Sequence, residues 1–175
     1  ETSSVCYRPL KYDVVVYRSD IRELRINARS KGERQLYRQQ FGKHLFGDEE
    51  FFPGRNKYTL EPLREYGSDG LSCFGVEGME WVKLAEIHYF WGGEHGEIEI
   101  RKADDIFAAM EARGRTIPEG CRNLQAKFQI KFADSKTPRS LKIRGSNIAE
   151  YTRDSDASLI EQWLTKRGFT VVEEI

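Results

Sequence analysis

Cysteine is scarce in this chain of 175 residues. Cys6, Cys73 and Cys121 are odd in number and far apart. That pattern argues against a disulfide framework and favours a reducing, cytoplasmic setting. None of the three stands in a C-x-x-C pair, so a structural zinc site is not expected. Long apolar runs are missing as well. Nothing approaches the roughly 20 residues a membrane-spanning helix needs, so we expect a soluble chain with no membrane partner. The opening Glu-Thr-Ser-Ser lacks the charged start and apolar middle of a signal peptide. Because the first residue is Glu1 rather than Met, we expect the chain to be processed or cut from a larger protein.

Several enzyme signatures are absent too. There is no P-loop, no G-x-G-x-x-G fingerprint, no G-x-S-x-G elbow and no H-E-x-x-H helix. Nucleotide folds and serine hydrolases of the common kinds are therefore not indicated. Cys73 sits in a glycine-rich loop with no basic neighbour in sequence to activate it.

What the chain does have is aromatic residues. Its hydrophobic fraction is only 39%, but 12% of the residues are Phe, Tyr or Trp, enough large apolar area to close a core. A disordered chain would lack them. It also has charge in blocks. Net charge is zero, yet residues 17–43 carry eight Lys or Arg against three acids. Residues 44–120 carry eight against sixteen, and residues 121–153 eight against two. Such asymmetry serves either pairing between blocks, within the fold or between copies, or a basic surface for a polyanion.

A hairpin followed by a helix is read three times. Tyr12 to Tyr17 is rich in β-branched residues, and Leu24, Ile26 and Ala28 alternate on the return strand. Ser30 and Glu33 then form a capping box for a helix with Leu36, Tyr37 and Phe41 on one stripe. In the second unit the run from Trp81 to Trp91 reads as apolar on both faces, as in a central strand. After the turn-rich Gly92–Gly96 loop, Ile98 and Ile100 alternate on the return. A helix with Ile106, Phe107 and Met110 follows, Asp104 suits its start, and Gly114 suits its end. The third unit is the clearest. Ala126, Phe128, Ile130 and Phe132 alternate with polar residues, Leu141 and Ile143 return, and Asp154 or Ser155 caps a helix carrying Ile160, Trp163 and Leu164. Gly168 suits its C-terminal cap, with Phe169 folding back. Between units, residues 42–78 read as an irregular, loop-rich insertion, with a short edge strand from Tyr58 to Leu63 because Pro62 cannot donate to a ladder. The expected fold is one α+β domain over residues 1–175, part of a larger or oligomeric protein. Its mainly antiparallel sheet is built from three ββα units with helices on one side.

Two constellations are candidates for chemistry. Alternation turns Arg25 and Arg29 outward on the first hairpin, and Lys127, Lys131, Lys142 and Arg144 outward on the third, with Arg139 near its turn. Rows of such side chains about 6–7 Å apart along a strand suit phosphates of an extended strand. These seven residues are the candidate nucleic-acid contacts. The plain alternative is a solvated face whose lysines protect sheet edges. The second constellation is Glu97, Glu99, Asp104 and His95, with His88, Glu94 and Asp105 nearby. Carboxylates and imidazoles that converge bind a divalent metal and activate water. His88 also reads as a satisfied core histidine, and Tyr89, Phe90 and Trp91 as core. The reading that follows is a non-catalytic recognition module without a cofactor, with a polyanion such as DNA or RNA as partner. The alternatives are a metal-assisted hydrolase or nuclease using the second-hairpin carboxylates, and a protein-interaction or self-association domain.

The third hairpin carries the sharpest structural expectation. Phe128→Ala should cost about 3–5 kcal/mol, as for a large buried aromatic. Equilibrium urea unfolding measures it, and a cost near zero would place Phe128 outside the core.

Overall fold

A computed structural model describes residues 12–19, 23–52, 54, 56–145, 147–151 and 154–171. It is mixed α and β, with two antiparallel sheets and four α-helices among the described residues. The chain divides into two compact units, Glu1–Gly54 and Arg55–Ile175. No helix of the described residues is long and apolar enough to cross a membrane.

In the first unit, β1 (Val14–Arg18) and β2 (Glu23–Asn27) form a two-stranded sheet of their own, with Val16 opposite Arg25 and Tyr17 opposite Leu24. Helix α1 (Lys31–Phe46) begins with the expected box. The Ser30 hydroxyl accepts from Glu33 N–H, and the Glu33 carboxylate accepts from Ser30 N–H. It ends at Gly47, whose φ of 74° favours glycine. Tyr17 meets the rings of Phe46 and Phe52 edge-on at 5.6 and 5.9 Å, and Tyr37 donates to Asp13 at 3.0 Å. Leu36, placed by sequence on the packing stripe, is instead 55% exposed.

The second unit is a five-stranded sheet in the order β4-β3-β5-β6-β7, every neighbour antiparallel. Its strands are β3 (Met79–Gly92), β4 (Glu97–Lys102), β5 (Arg122–Phe132), β6 (Arg139–Arg144) and β7 (Ile148–Tyr151). The expected pairing of β5 with β6 is present, and Phe128, Ile130, Phe132, Leu141 and Ile143 are all buried. Leu63 of α2 (Pro62–Glu65), Ile106 and Met110 of α3 (Ile106–Glu111), and Ile160, Trp163 and Leu164 of α4 (Ala157–Lys166) join them in one core. Trp163 and Phe169 stack at 5.1 Å, and each meets Phe128 edge-on at 5.6 Å. The end of α4 is a Schellman motif. Phe169 N–H donates to Leu164 O, Gly168 N–H donates to Thr165 O, and Gly168 takes φ of 74°. This turn returns Phe169 to the core.

Several local expectations are corrected. Strand β3 is not apolar on both faces. Val82, Leu84, Ile87 and Tyr89 face the core, and the register shifts between Leu84 and Glu86. Ala85 is the extra residue of a β-bulge, which lets Leu84 and Ile87 share a face at a spacing of three. Ile98 and Ile100 are about half exposed, at 53% and 51%, because their register partners Phe90 and His88 lie on the face away from the helices. Asp105 caps α3 in place of Asp104, its carboxylate accepting from Ala108 N–H at 3.2 Å. Of the supposed edge strand only Tyr58 bridges, to Thr170, while Pro62 opens α2, where its missing N–H costs nothing. The stretch read as irregular also supplies Tyr58, Leu60, Leu63, Leu71 and Val76 to the core. A 3-10 turn at Asp154–Asp156 precedes α4, and Asp156 holds its N-cap position without a side-chain cap. The first hairpin is a separate sheet and β7 intervenes before α4, so the strands do not form one sheet of three like units.

The Asp156 carboxylate instead binds Arg139 at 2.6 Å, and both side chains are buried. Arg139 also reaches Asp134 at 3.4 Å and lies 5.1 Å from the Phe132 ring centroid. Asp156→Ala leaves that guanidinium largely uncompensated inside the fold, so it should cost about 3–5 kcal/mol. Urea unfolding checks this. A loss below about 1 kcal/mol, the level of a surface pair, would show the bond to be dispensable.

Candidate nucleic-acid interface

All helices that enter the core do so from one side of the five-stranded sheet. The residues of opposite parity form its other face: Trp81, Lys83, Glu86, His88 and Phe90 on β3, and Gln125, Lys127, Gln129 and Lys131 on β5. Ser140, Lys142 and Arg144 continue it on β6.

The strand registers align one row of charges across all five strands: Lys102, Glu86, Lys127, Lys142 and Glu150. The two acids of the row are already engaged. Glu86 binds Lys102 at 2.9 Å and His88 Nε2 at 2.6 Å, and it accepts from Gln125 at 3.3 Å. Glu150 binds Arg144 at 2.8 Å. Lys127 and Lys142 are left directly opposite each other, and neither is ion-paired among the described residues. They line a shallow groove of about 320 Å³ with Glu86, Ser140, Glu150 and Tyr151. Like charges directly opposite across a strand pair destabilise a sheet. An anion lying between these two would remove that cost.

Two aromatic side chains share this face, near opposite ends of β3. Lys83 Nζ lies 5.3 Å from the Trp81 ring, and Arg122 Cζ lies 5.4 Å from the Phe90 ring. Sequence reading assigned Phe90 to the core and did not place Trp81 on an outward face. Parity counted back from Val82 finds Trp81, but the bulge at Ala85 breaks the count before Phe90.

The other expected contacts are distributed differently. Lys131 lies on the same face and is paired with Glu80 at 3.1 Å. Arg144 sits beside β7 on its bond to Glu150. Arg139 faces the core with Leu141 and Ile143 and is 8% exposed, so it is no surface contact. Arg25 and Arg29 belong to the first unit, where Arg25 binds Glu23 at 2.5 Å and Arg29 is exposed.

The carboxylate constellation is not assembled. Glu99 accepts from Trp91 Nε1 at 3.2 Å and from Arg101 at 2.7 Å, while Glu97, Asp104 and His95 are exposed. Among the described residues no three His, Cys, Asp or Glu side chains are grouped to hold a metal ion. His88 has a partner, but on the open face rather than within the core, its Nε2 donating to the Glu86 carboxylate. Tyr89 is fully buried, and burial pushes its hydroxyl up to about 12. Burial also raises the Cys73 thiol above its ordinary value, and nearby Arg167 opposes this only in part. Cys121 is buried, its Sγ donating to Pro118 O at 3.3 Å. Cys6 lies outside the described residues.

Compared with protein families, curated proteins and solved structures, the chain matches none.

The hydrogen bonds from His88, and then from Lys102, pull the Glu86 carboxyl down to about 2 from its ordinary 4.5. Such a group binds fewer protons folded than unfolded. Its contribution to stability is complete above about 4.5 and is lost as pH falls through about 2. Glu86→Gln should therefore be less stable than the wild type at neutral pH, with the gap closing over that window. Urea midpoints measured from pH 7 to pH 2 check this, and a gap independent of pH would contradict it.

Proposed function

We propose that this chain is a non-catalytic recognition module whose open sheet face binds a polyanion, with single-stranded nucleic acid as the favoured partner. The carrying observation is the Lys127–Lys142 pair, opposed across β5 and β6 with the neighbouring acids engaged elsewhere. The basic block at residues 121–153 contributes to this face through β5 and β6. Trp81 and Phe90 supply π surfaces beside cationic side chains, the combination that stacks bases without reading their sequence. Gln129 and Ser140 add polar groups suited to backbone contacts.

The test is titration of a labelled oligonucleotide at several salt concentrations. Affinity should fall as salt rises, because each phosphate neutralised on a single strand contributes a log–log slope of about −0.7. Lys127→Gln with Lys142→Gln should reduce the slope by about 1.4 and leave the unfolding midpoint unchanged or slightly raised, since the two like charges oppose each other across the strand pair. Trp81→Ala should weaken binding by about 1–3 kcal/mol while leaving the slope in place. Absence of salt-dependent binding to single strands at low ionic strength would defeat the proposal, and so would an unchanged slope in the double variant.

A further inference from the structure

Strand β4 is an edge of the five-stranded sheet, and its sequence is Glu97-Ile-Glu-Ile-Arg-Lys102. Ala103 N–H donates to Ala85 O at 3.1 Å. Backbone groups in an antiparallel ladder alternate in direction. The odd-numbered residues of β4 therefore address β3, and the N–H and C=O groups of Ile98, Ile100 and Lys102 point away from the sheet. A regular edge with unpaired donors and acceptors is a template for another strand. Here no proline interrupts it, the register shift of the β3–β4 pair places its extra residue, Trp91, on β3, and the two isoleucines of β4 are half exposed.

We propose that β4 pairs antiparallel with β4 of a second copy of this chain, centred on Ile100. The self-complementarity of the strand selects this register. In an isologous pair, residue i meets residue j and j meets i. Directly opposed residues also share a sheet face, so the two-fold axis must pass through one residue rather than between two. Centring on Ile98 sets Glu97 against Glu99 twice. Centring on Glu99 sets that carboxylate against itself, and centring on Arg101 does the same to the guanidinium. Only centring on Ile100 opposes unlike charges throughout, with Glu99 facing the second copy's Arg101 and the reverse. Ile100 then meets its own counterpart, and Ile98 meets Lys102. The outward N–H and C=O groups of Ile98, Ile100 and Lys102 are all used. Glu99 and Arg101 already bond within one chain at 2.7 Å, so pairing joins two such bonds into a four-member network.

Sedimentation of the full chain tests this through charge exchange. The wild type should be a concentration-dependent dimer. Glu99→Arg alone, or Arg101→Glu alone, sets like charges opposite at both positions and should weaken self-association by about tenfold or more. The double variant Glu99→Arg with Arg101→Glu should dimerise again. The two single variants, mixed in equal amounts, should form a heterodimer, since every facing pair is then unlike. Ile100→Lys provides a second disruption independent of the exchange. Circular dichroism and thermal unfolding show whether each variant is folded. A wild type monomeric at every concentration would overturn the assignment. So would single variants that dimerise as the wild type does, or a mixture that stays monomeric. A monomer whose edge instead takes up an added β-strand peptide of unrelated sequence would put a foreign strand there and also overturn it.

Discussion

The contact of Trp163 and Phe169 with Phe128 holds the second unit together. Phe128 sits on β5, which pairs with both β3 and β6, and the two other rings approach from the last helix and the turn beyond it. The Schellman turn at Gly168 is what brings Phe169 back beside Trp163. At the opposite end of α4, the buried bond between Asp156 and Arg139 ties the helix start to β6. One end is anchored by apolar area and the other by charge, so the helix is fixed along its length. With the apolar cover on one side, the other face of the sheet remains available for polar side chains.

On that available face the strand registers, more than composition, decide the electrostatics. The whole chain has no net charge, and most of the face's cations find acids nearby. The exception arises because Glu86 already holds Lys102, His88 and Gln125, while Glu150 holds Arg144. Among the described residues, a pair of lysines without ion pairs of their own thus persists inside a neutral protein. Its character depends on which residue stands opposite which, and a residue tally does not see that.

The legible parts of the sequence were those governed by neighbours close along the chain. Strict alternation revealed β5 and β6, and the Ser30–Glu33 box and Gly168 revealed helix ends, because each device works within a few residues. Lys127 and Lys142 were found as outward residues for the same reason. What was not legible depends on distant partners or on broken periodicity. Arg139 looked like a turn residue because its partner Asp156 lies 17 positions away. Asp154 and Ser155 competed with Asp156 for the helix start on equal compositional terms. Phe90 was lost to the bulge at Ala85, and Ile98 and Ile100 were misassigned because burial follows from β3's orientation rather than from their own alternation. The convergence expected of Glu97, Glu99, Asp104 and His95 rested on proximity in sequence, whereas pairing with β3 turns Glu99 toward Trp91 and Arg101.

The alternation of β3 also restricts how this gene can vary in length, and the extra residue at Ala85 is a point of relief. Losing the Ala85 codon would restore regular alternation with the faces kept, Leu84 and Ile87 inward and Glu86 and His88 outward, whereas losing one between Glu86 and Phe90 would swap the faces of everything beyond it. Gaining one in that stretch would have the same effect. Substitution is therefore the main route of change open to β3, and changes in length are diverted to the connection at Gly92–Gly96, whose glycines at 92, 93 and 96 all hold positive φ and whose middle residues are exposed. Among divergent copies of this chain, the alignment should stay free of gaps along β3 except at Ala85, and open at the tip that follows it.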